Sequence, residues 1–370
     1  MATIRSVGIV GGGPGGLMLA RILQCSGVDV TVFERDGHPG ERPQGGSLDL
    51  HAETGQRAMR LAGLEAEFAA AARPEDQGDR LYDADGTLLF DRDGRDDDRP
   101  EIDRTDLRRI LLGSLAPDTV RWGAKIEAVE AANSGARIVI DGAGQAFDML
   151  VGADGAWSRV RRLLTDACPI YQDVTFVELG FDVIRHPHVD ALTGGGKMFA
   201  VGNNRVLIAQ RNGHGHIRGY AGLRMDEETS RRWAALPHDA VRAEALQAFA
   251  GWAPELTRLI VEGDLLAVRP LHALPIGLHW SSRPGFTLIG DAAHLMSPFS
   301  GEGVNLALAD AVDLAEALTS QDSGAVAAFE ERMAARAKQA AEGAAAGLES
   351  VMSSEGPAPV LEHYLERAAA

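Results

Sequence analysis

The apolar pattern at the start of the chain predicts a strand, a glycine turn, a helix and a second strand. The apolar run Ser6–Val10 leads into the glycine-rich residues 11–16, and LMLARILQCSG then reads as a helix that ends at Gly27. The run VDVTVFER follows as the next strand. This order is that of a βαβ unit, so the chain opens as an α/β fold.

The middle of the chain contains two kinds of sequence pattern. Residues 51–66 and 106–115 have helical spacing, and residues 137–140 and 149–151 are predicted strands. Residues 173–223 instead hold strand-like runs separated by glycine and asparagine turns. Short strand-like runs separated by turns are typical of an antiparallel sheet, here in a second domain.

Helices dominate the last third. A helical stretch spans about residues 227–259, and strand signals return at 265–268 and 286–290. The tail from residue 325 predicts one or two long helices packed on the outside. Earlier in the chain, the acidic run at 93–101 has the composition of a solvated loop.

Composition limits the function without naming it. The chain has 370 residues, 43 of them glycine, and 45% are hydrophobic, which fits an α/β enzyme with a full core. The formal net charge of −17 disfavours nucleic acid and anionic membranes as partners. With no membrane-length apolar run and no signal pattern, we expect a cytoplasmic monomer or weak dimer. Cys25 and Cys168 are interpreted as small buried residues, and no metal site is predicted.

The glycines of the first turn have the spacing GxGxxG. Gly11 permits a tight turn, Gly13 lets the backbone approach a pyrophosphate, and Gly16 lets helix and strand pack closely. The helix N-terminus adds amide donors and a positive dipole end. Glu34 ends the second strand, 18 positions after Gly16, where the dinucleotide fingerprint has an acid for ribose hydroxyls. This unit fits FAD and NAD alike.

Two further motifs follow predicted strands. ADGAWSRVRR at 153–162 follows the strand at 149–151, and GDAAHLMSPFSGEGVN at 290–305 follows the apolar run FTLI. Together with GxGxxG they form a set that resembles the single-component flavin-dependent aromatic hydroxylases, the family of para-hydroxybenzoate hydroxylase, over nearly the whole chain. GGSLDLHAETGQRAM at 45–59 and EIDRTDLRRILL at 101–112 are most similar to the tetracycline-inactivating flavin monooxygenases and their polyketide-pathway relatives.

The resemblance implies an α/β fold with a dinucleotide-binding three-layer FAD domain, a second, mostly antiparallel β-sheet substrate domain and a long C-terminal helix. The implied ranges are residues 1–75, 100–170 and 265–322 for the FAD domain, residues 76–99 and 171–264 for the substrate domain, and residues 323–370 for a C-terminal helical segment.

The residues that the resemblance assigns to FAD lie at turns and strand ends. They are Gly11, Gly13, Pro14 and Gly16 for the pyrophosphate; Glu34 and Arg35 for the adenosine half; Arg104 from a neighbouring element; Asp49 near the reactive end; Asp154 for cofactor organisation; Asp291 for the ribityl chain; and Pro298, Gly301, Gly303, Val304 and Asn305 against the isoalloxazine ring. From the residues alone, Asp291 also fits a helix N-cap, and Arg104 also fits a surface ion pair.

The implied activity is hydroxylation of a polycyclic phenolic or enolic substrate, such as an aromatic polyketide or a tetracycline, through a flavin 4a-hydroperoxide. FAD would be the resident cofactor, NADPH or NADH the transient reductant and dioxygen the co-substrate. Two alternatives stay open, a flavoprotein oxidase, dehydrogenase or reductase on the same fold, and a non-catalytic FAD- or NAD-binding regulator. A halogenase is disfavoured because the five tryptophans are scattered.

The second sheet is expected to supply the substrate pocket. Its candidate residues are Lys197, Phe199, Arg211, Arg218, Pro298 and Phe299. Tetracycline itself is disfavoured, because the positions where the tetracycline enzymes carry glutamine, arginine and histidine are here Gly180, Lys197 and Arg218.

Two departures fall within the last motif. Close relatives carry proline at Ser297 and glutamine at Glu302. The carboxylate of Glu302 either points away from the ring, pairs with an arginine or is protonated.

Overall fold

A computed structural model describes residues 4–42, 45–95, 97–132 and 135–369. Residues 1–3 and 370, at the ends of the predicted domain ranges, and Asp96 of the acidic run lie outside the described residues. Within them the strands are β1 (Ser6–Val10), β2 (Asp29–Phe33), β3 (Ser47–Asp49), β4 (Gly78–Asp83), β5 (Leu88–Arg92), β6 (Glu101–Asp103), β7 (Val120–Arg121), β8 (Ile126–Ala131), β9 (Ala136–Ile140), β10 (Ala143–Phe147), β11 (Met149–Gly152), β12 (Ile170–Asp182), β13 (Gly196–Gly202), β14 (Arg205–Arg211), β15 (His216–Arg224), β16 (Asp264–Ala273) and β17 (Phe286–Leu288).

The α-helices of the same residues are α1 (Pro14–Cys25), α2 (Arg57–Leu61), α3 (Glu65–Ala71), α4 (Arg104–Gly113), α5 (Pro187–Thr193), α6 (Glu227–Ala235), α7 (His238–Ala248), α8 (Pro254–Glu262), α9 (Asp291–His294), α10 (Gly303–Thr319), α11 (Ala325–Val351) and α12 (Ala358–Ala369). None of them combines the length and apolarity that a membrane crossing requires.

A parallel sheet in the order β17-β11-β1-β2-β7 forms the centre of the first unit. Its strands read as apolar runs, and Val7, Ile9, Leu150 and Val151 are fully buried. Such runs are what a parallel sheet covered on both faces requires. Because every pair in this sheet is parallel, the carboxyl ends of β1, β11 and β17 meet at one edge.

The second unit is a seven-stranded sheet in the order β16-β12-β15-β14-β13-β4-β5. It is antiparallel except between β13 and β4. One face packs on α5–α8 through a core that includes Phe181, Met198 and Phe249. The other face meets the C-terminal helices and Phe299.

The tail forms two helices, as the sequence predicts, but they do more than cover the outside. Phe329 and Met333 of α11 join the core of the parallel sheet. Further along the same helix, Leu348 and Val351 join the core of the second sheet, as does Tyr364 of α12. The long helix therefore packs against both units.

Several local expectations differ from the structure. The single helix predicted at 51–66 is a π-helical turn (Ala52–Gln56) followed by α2, which ends because Gly63 adopts a left-handed φ of 68°. Cys25 and Cys168 are exposed rather than buried, and Cys25 is the last residue of α1. The run predicted as a solvated loop ends in Glu101, the first residue of β6, which pairs with β3 and is only 2% exposed.

The predicted division at residue 265 falls at the start of β16. That strand hydrogen-bonds to β12 in the second sheet, so residues 265–273 lie with the second unit. The domain ranges as a whole stay a prediction.

Candidate functional site

Three loops meet at the carboxyl edge of the parallel sheet. Residues 11–16 follow β1, Asp154 follows β11 and Asp291 follows β17, and these three strands are neighbours. Ligands of open α/β sheets bind at this edge, where the strand order reverses. The fold therefore brings together the three motifs that are far apart in the sequence.

The three motif glycines of residues 11–16 differ in the space that a Cβ would occupy, which is filled at Gly11 and Gly16 and open at Gly13. A Cβ at Gly11 would lie 2.2 Å from the carbonyl oxygen of Ala153, and φ there is 109°. A Cβ at Gly16 would lie 2.2 Å from the carbonyl oxygen of Gly11. A Cβ at Gly13, the N-cap of α1, would meet no described atom within 4 Å. Gly13, followed by Pro14 in the first turn, thus borders a space suited to phosphate at a helix N-terminus.

Glu34 holds this loop from the end of β2. Its buried carboxylate accepts hydrogen bonds from the Gly12 amide at 2.8 Å and the Asp36 amide at 3.0 Å. A carboxylate has about four lone-pair positions, so Glu34 keeps acceptor capacity for a ribose hydroxyl. Its neighbour Arg35 is exposed.

Arg108 is a site residue that the sequence reasoning missed. It is 3% exposed, and its guanidinium donates to the carbonyl oxygens of Gly12 (3.2 Å) and Pro39 (2.8 Å) and lies over the ring of Trp122. Burial lowers the pKa of Arg108, and the carboxylates nearby oppose that shift. Arg104, the predicted arginine, is exposed at the start of α4, one helical turn before Arg108. That spacing of four residues is the signal that could have identified Arg108.

The other two acids differ in their surroundings. One oxygen of Asp154 accepts the Arg159 amide at 2.8 Å, whereas its buried Oδ1 has no hydrogen-bond partner among the described residues. Burial raises the pKa of Asp154, because the charged form loses water. Asp291 is exposed at the start of α9. A buried carboxylate oxygen without a partner is costly, so the hydroxyl groups of a ligand fit Asp154.

Asn305 joins residues 297–305, here called the ring loop, to β3. Its amide nitrogen donates to the carbonyl oxygens of Asp49 (3.0 Å) and Gly301 (3.1 Å), and its oxygen accepts the His51 amide at 2.9 Å. Asn305 is fully buried, and a Cβ at Gly55 in the π-helical turn would lie 2.5 Å from its oxygen. The ring loop and residues 49–55 therefore form one fitted unit.

The carboxylate of Glu302 faces a histidine, His51, rather than an arginine. His51 Nδ1 lies 3.5 Å from Glu302 Oε1, and His51 Nε2 lies 3.2 Å from Asp49 Oδ2. Burial alone would lower the pKa of His51, but the two carboxylates outweigh it and raise the pKa to about 9. Burial likewise opposes ionisation of Asp49, yet His51 and Lys197 lower its pKa. At neutral pH the imidazole is therefore a cation that lies between the two carboxyl groups.

Ser297, the second departure, supports the ring loop from its other side. Its hydroxyl is buried and donates to the carbonyl oxygen of Ala344 in α11 at 2.7 Å. A proline there has no hydroxyl to donate. Within the loop, Gly301 has a left-handed φ of 69°, and α10 begins at Gly303 with Val304 half-buried behind it.

The second sheet presents two rows of side chains toward the ring loop. Strand pairing aligns an apolar row, Tyr220, Ile208, Phe199 and Leu81. Two residues along each strand, it aligns a polar row, Arg218, Gln210, Lys197 and Asp79. Residues two apart on a strand share a face, so both rows face the same side. Phe299 reaches this face from the ring loop and lies 6.1 Å from the ring of Phe176, whereas Pro298 is exposed.

The cations of the polar row are paired. Lys197 Nζ lies 3.5 Å from Asp79, and Arg218 lies 3.1 Å from Glu178, which also binds Arg269 at 2.8 Å. Burial would lower the pKa of Lys197, but the surrounding carboxylates raise it above its ordinary value. Lys197 is therefore charged.

Two residues lie in surroundings other than those expected from the sequence. Arg211 lies apart, because its guanidinium binds Asp190 at 2.6 Å and the carbonyl oxygen of Gly194 beside α5. Glu101, expected in solvent, accepts from Ser47 at 2.6 Å and from Gln210 at 3.0 Å. Burial raises the pKa of Glu101. No group of three or more His, Cys, Asp or Glu side chains in the described part of the chain is arranged to hold a metal.

Comparison with known proteins matches this architecture. A family model described as an FAD binding domain matches residues 5–344. Monooxygenase asqM of Emericella nidulans is 33% identical over 371 residues, covering 84% of this chain and 83% of that protein.

Two solved structures share the fold. Klebsiella pneumoniae HpxO complexed with FAD and uric acid is similar with a TM-score of 0.81 at 21% identity, covering 98% of this chain and 92% of that one. Tetracycline destructase Tet(51) is similar with a TM-score of 0.74 at 18% identity, covering 99% and 95%. The predicted fold class is thereby confirmed.

Proposed function

We propose that this chain, which belongs to the FAD-binding domain family and is an FAD-dependent monooxygenase, uses NADPH or NADH to hydroxylate a polycyclic phenolic or enolic small molecule. The membership of the family and the class of enzyme rest on the match over residues 5–344 and on the monooxygenase relatives. The reductant and the substrate class are the proposal.

The residues at the sheet edge fit FAD. The open space at Gly13 and the N-terminus of α1 suit the diphosphate, and Glu34 has acceptor capacity for the adenosine ribose. The exposed carboxylate of Asp291 and the buried Oδ1 of Asp154, which has no hydrogen-bond partner among the described residues, support roles as acceptors for the hydroxyl groups of FAD. When bound, FAD would accept reducing equivalents from NAD(P)H and activate dioxygen. The chain's own part is to hold, orient and shield the reacting groups.

The two-row face of the second sheet carries the proposal for the substrate. Phe199, Tyr220 and Phe299 offer apolar and aromatic surface for flat rings. The paired cations Lys197 and Arg218 offer hydrogen-bond donors along one edge of that surface, and Gln210, whose amide nitrogen donates to Glu101, offers its amide oxygen as an acceptor. Because each cation already has a carboxylate partner, the face suits neutral hydroxyl and keto groups better than an isolated anion. Phenolic polycycles have this combination of flat apolar rings and edge oxygens.

The C-terminal helices help to exclude water from this face. Tyr364 of α12 is buried beside Phe90, with ring centroids 5.2 Å apart, and Arg367 lies 3.2 Å from Asp97. Shielding matters because water in the site favours unproductive breakdown of the activated oxygen.

Oxidation of NADPH and NADH by the FAD-loaded protein tests the proposal. The panel would contain polyphenols, aromatic polyketides and tetracyclines, with product masses measured under ¹⁸O-labelled dioxygen. We expect phenolic substrates to stimulate oxidation and to gain one labelled oxygen atom. A panel in which no phenolic compound gains oxygen would overturn the substrate class. Oxidation of substrate with no label incorporated would indicate oxidase chemistry.

A further inference from the structure

The unit formed by Asp49, His51 and Glu302 joins two segments that are distant in the chain. Both ring nitrogens of His51 face a carboxylate, at 3.2 Å and 3.5 Å, so each is placed to donate a proton. The side chains of His51, Asp49 and Glu302 are 11%, 22% and 30% exposed, so solvent reaches the unit only in part.

The backbone fixes this arrangement. Asn305 bonds to the backbone of Asp49, His51 and Gly301, which sets the spacing between β3 and the ring loop. Glu302 lies between Gly301 and the first residue of α10, so its carboxylate is aimed by that fixed turn.

Two further ionisable groups interact with the unit through Asp49. Asp49 interacts with Lys197 of β13 and with Glu101 of β6 on the side of the second sheet. The two carboxyl groups at ion-pair distance from His51 are those of Asp49 and Glu302, and both raise its pKa. Glu302 adds one carboxyl group to the Asp49–His51 pair, whereas a glutamine at position 302 would add no ionisable group.

We propose that Glu302 is a positioning residue that holds His51 doubly protonated beside the reactive end of the flavin site and makes that end more negative. This rests on the proposed placement of FAD against the ring loop. Reduction adds negative charge to a flavin, so the extra carboxylate disfavours it. The identity of residue 302 would then set how readily the cofactor is reduced.

Glu302→Gln tests the first half of the proposal in FAD-free protein. Titration of ¹⁵N-labelled histidines by NMR, with His51 assigned from a His51→Gln sample, gives the pKa directly. Loss of a carboxylate at ion-pair distance should weaken proton binding by His51 about tenfold or more. Glu302→Asp, which keeps the charge, should restore part of the shift. Glu316→Gln is the matched control, because that carboxylate is 69% exposed on α10 and faces Arg57.

The second half is tested on FAD-loaded protein by equilibration with redox dyes. We expect the midpoint potential to become more positive in Glu302→Gln and to stay unchanged in Glu316→Gln. An unchanged His51 titration in Glu302→Gln overturns the pairing, whether or not FAD binds. A shifted His51 with an unchanged potential overturns the effect on the flavin. Failure of every variant and of the parent chain to take up FAD would instead count against the proposed function.

Discussion

Gly13 and Gly16 allow the roles of the two kinds of glycine in the loop to be separated. Gly13 has φ −81° and ψ 176°, which alanine also adopts, and its missing Cβ would enter open space. Gly13→Ala should therefore fold, with a change in the free energy of unfolding within about 1 kcal/mol. The added methyl group would occupy space that the FAD diphosphate needs. Overpacking of this kind costs about 1–3 kcal/mol, or roughly fivefold to 140-fold weaker FAD binding.

Gly16→Ala should behave in the opposite way. Its Cβ would lie 2.2 Å from the carbonyl oxygen of Gly11 and 3.2 Å from side-chain atoms of Ala153 and Ile9. Backbone cannot move away as a flexible side chain can, so we expect a loss of stability of more than about 3 kcal/mol even without FAD.

Urea denaturation of FAD-free protein and fluorescence titration with FAD separate these outcomes. Gly113→Ala serves as the control, because a Cβ there also meets no described atom within 4 Å but lies at the end of α4. It should leave FAD affinity unchanged. Wild-type FAD affinity in Gly13→Ala, or wild-type stability in Gly16→Ala, would refute the assignment of the open and filled positions.

Three further predictions concern charged groups. Asp291→Ala should yield folded protein with little bound FAD, as measured by flavin absorbance after purification. Normal flavin content in this variant would refute the assignment of Asp291 to the ribityl chain. His51→Gln should lose stability relative to the parent mostly below pH 6.5, with the difference fading as pH rises toward 9, because the folded state raises the pKa of His51 from 6.5 to about 9. The raised pKa contributes at most about 3 kcal/mol to the free energy of unfolding, and about 2 kcal/mol with solvent screening. Urea denaturation at several pH values measures this contribution, and a difference between the two proteins that does not depend on pH would contradict it. Asp310→Asn should cost about 3–5 kcal/mol in the same assay, since fully buried Asp310 binds His294 at 2.6 Å and Arg336 at 2.8 Å, and a loss below about 1 kcal/mol would argue against a structural role for this network.

The dinucleotide unit was predictable because its signals are local. A strand, a glycine turn and a helix in succession fix the backbone of residues 11–16, and the acid at position 34 follows from the length of that unit. The position of Asp154 and Asp291 after apolar runs predicts the same sheet edge, provided that the strands are parallel. The structure confirms that they are.

Pairs of side chains were the part that could not be predicted. The partner of Glu302 is His51, about 250 positions earlier in the chain. The partners of Glu178 are Arg218 and Arg269, on strands that become neighbours only in the folded sheet. Hydrophobic periodicity carries no information on such pairs, because it reports which face is buried and not which residues meet there. The same limit explains the error at Glu101, where composition indicates solvent and strand pairing produces burial.

The two departures in the ring loop are each matched by a contact elsewhere in the chain. Ser297 donates to α11, the helix that packs against both sheets, and Glu302 pairs with a histidine that β3 and Asn305 hold in place. Neither substitution leaves a buried polar group without a partner, so neither need cost the fold. Ser297 links the ring loop to the C-terminal helix, and Glu302 adds a carboxyl group beside His51. On the proposed placement of FAD, a change in the loop that follows β17 would alter the surroundings of the ring and leave the glycine loop after β1, where the phosphates are proposed to bind, unchanged.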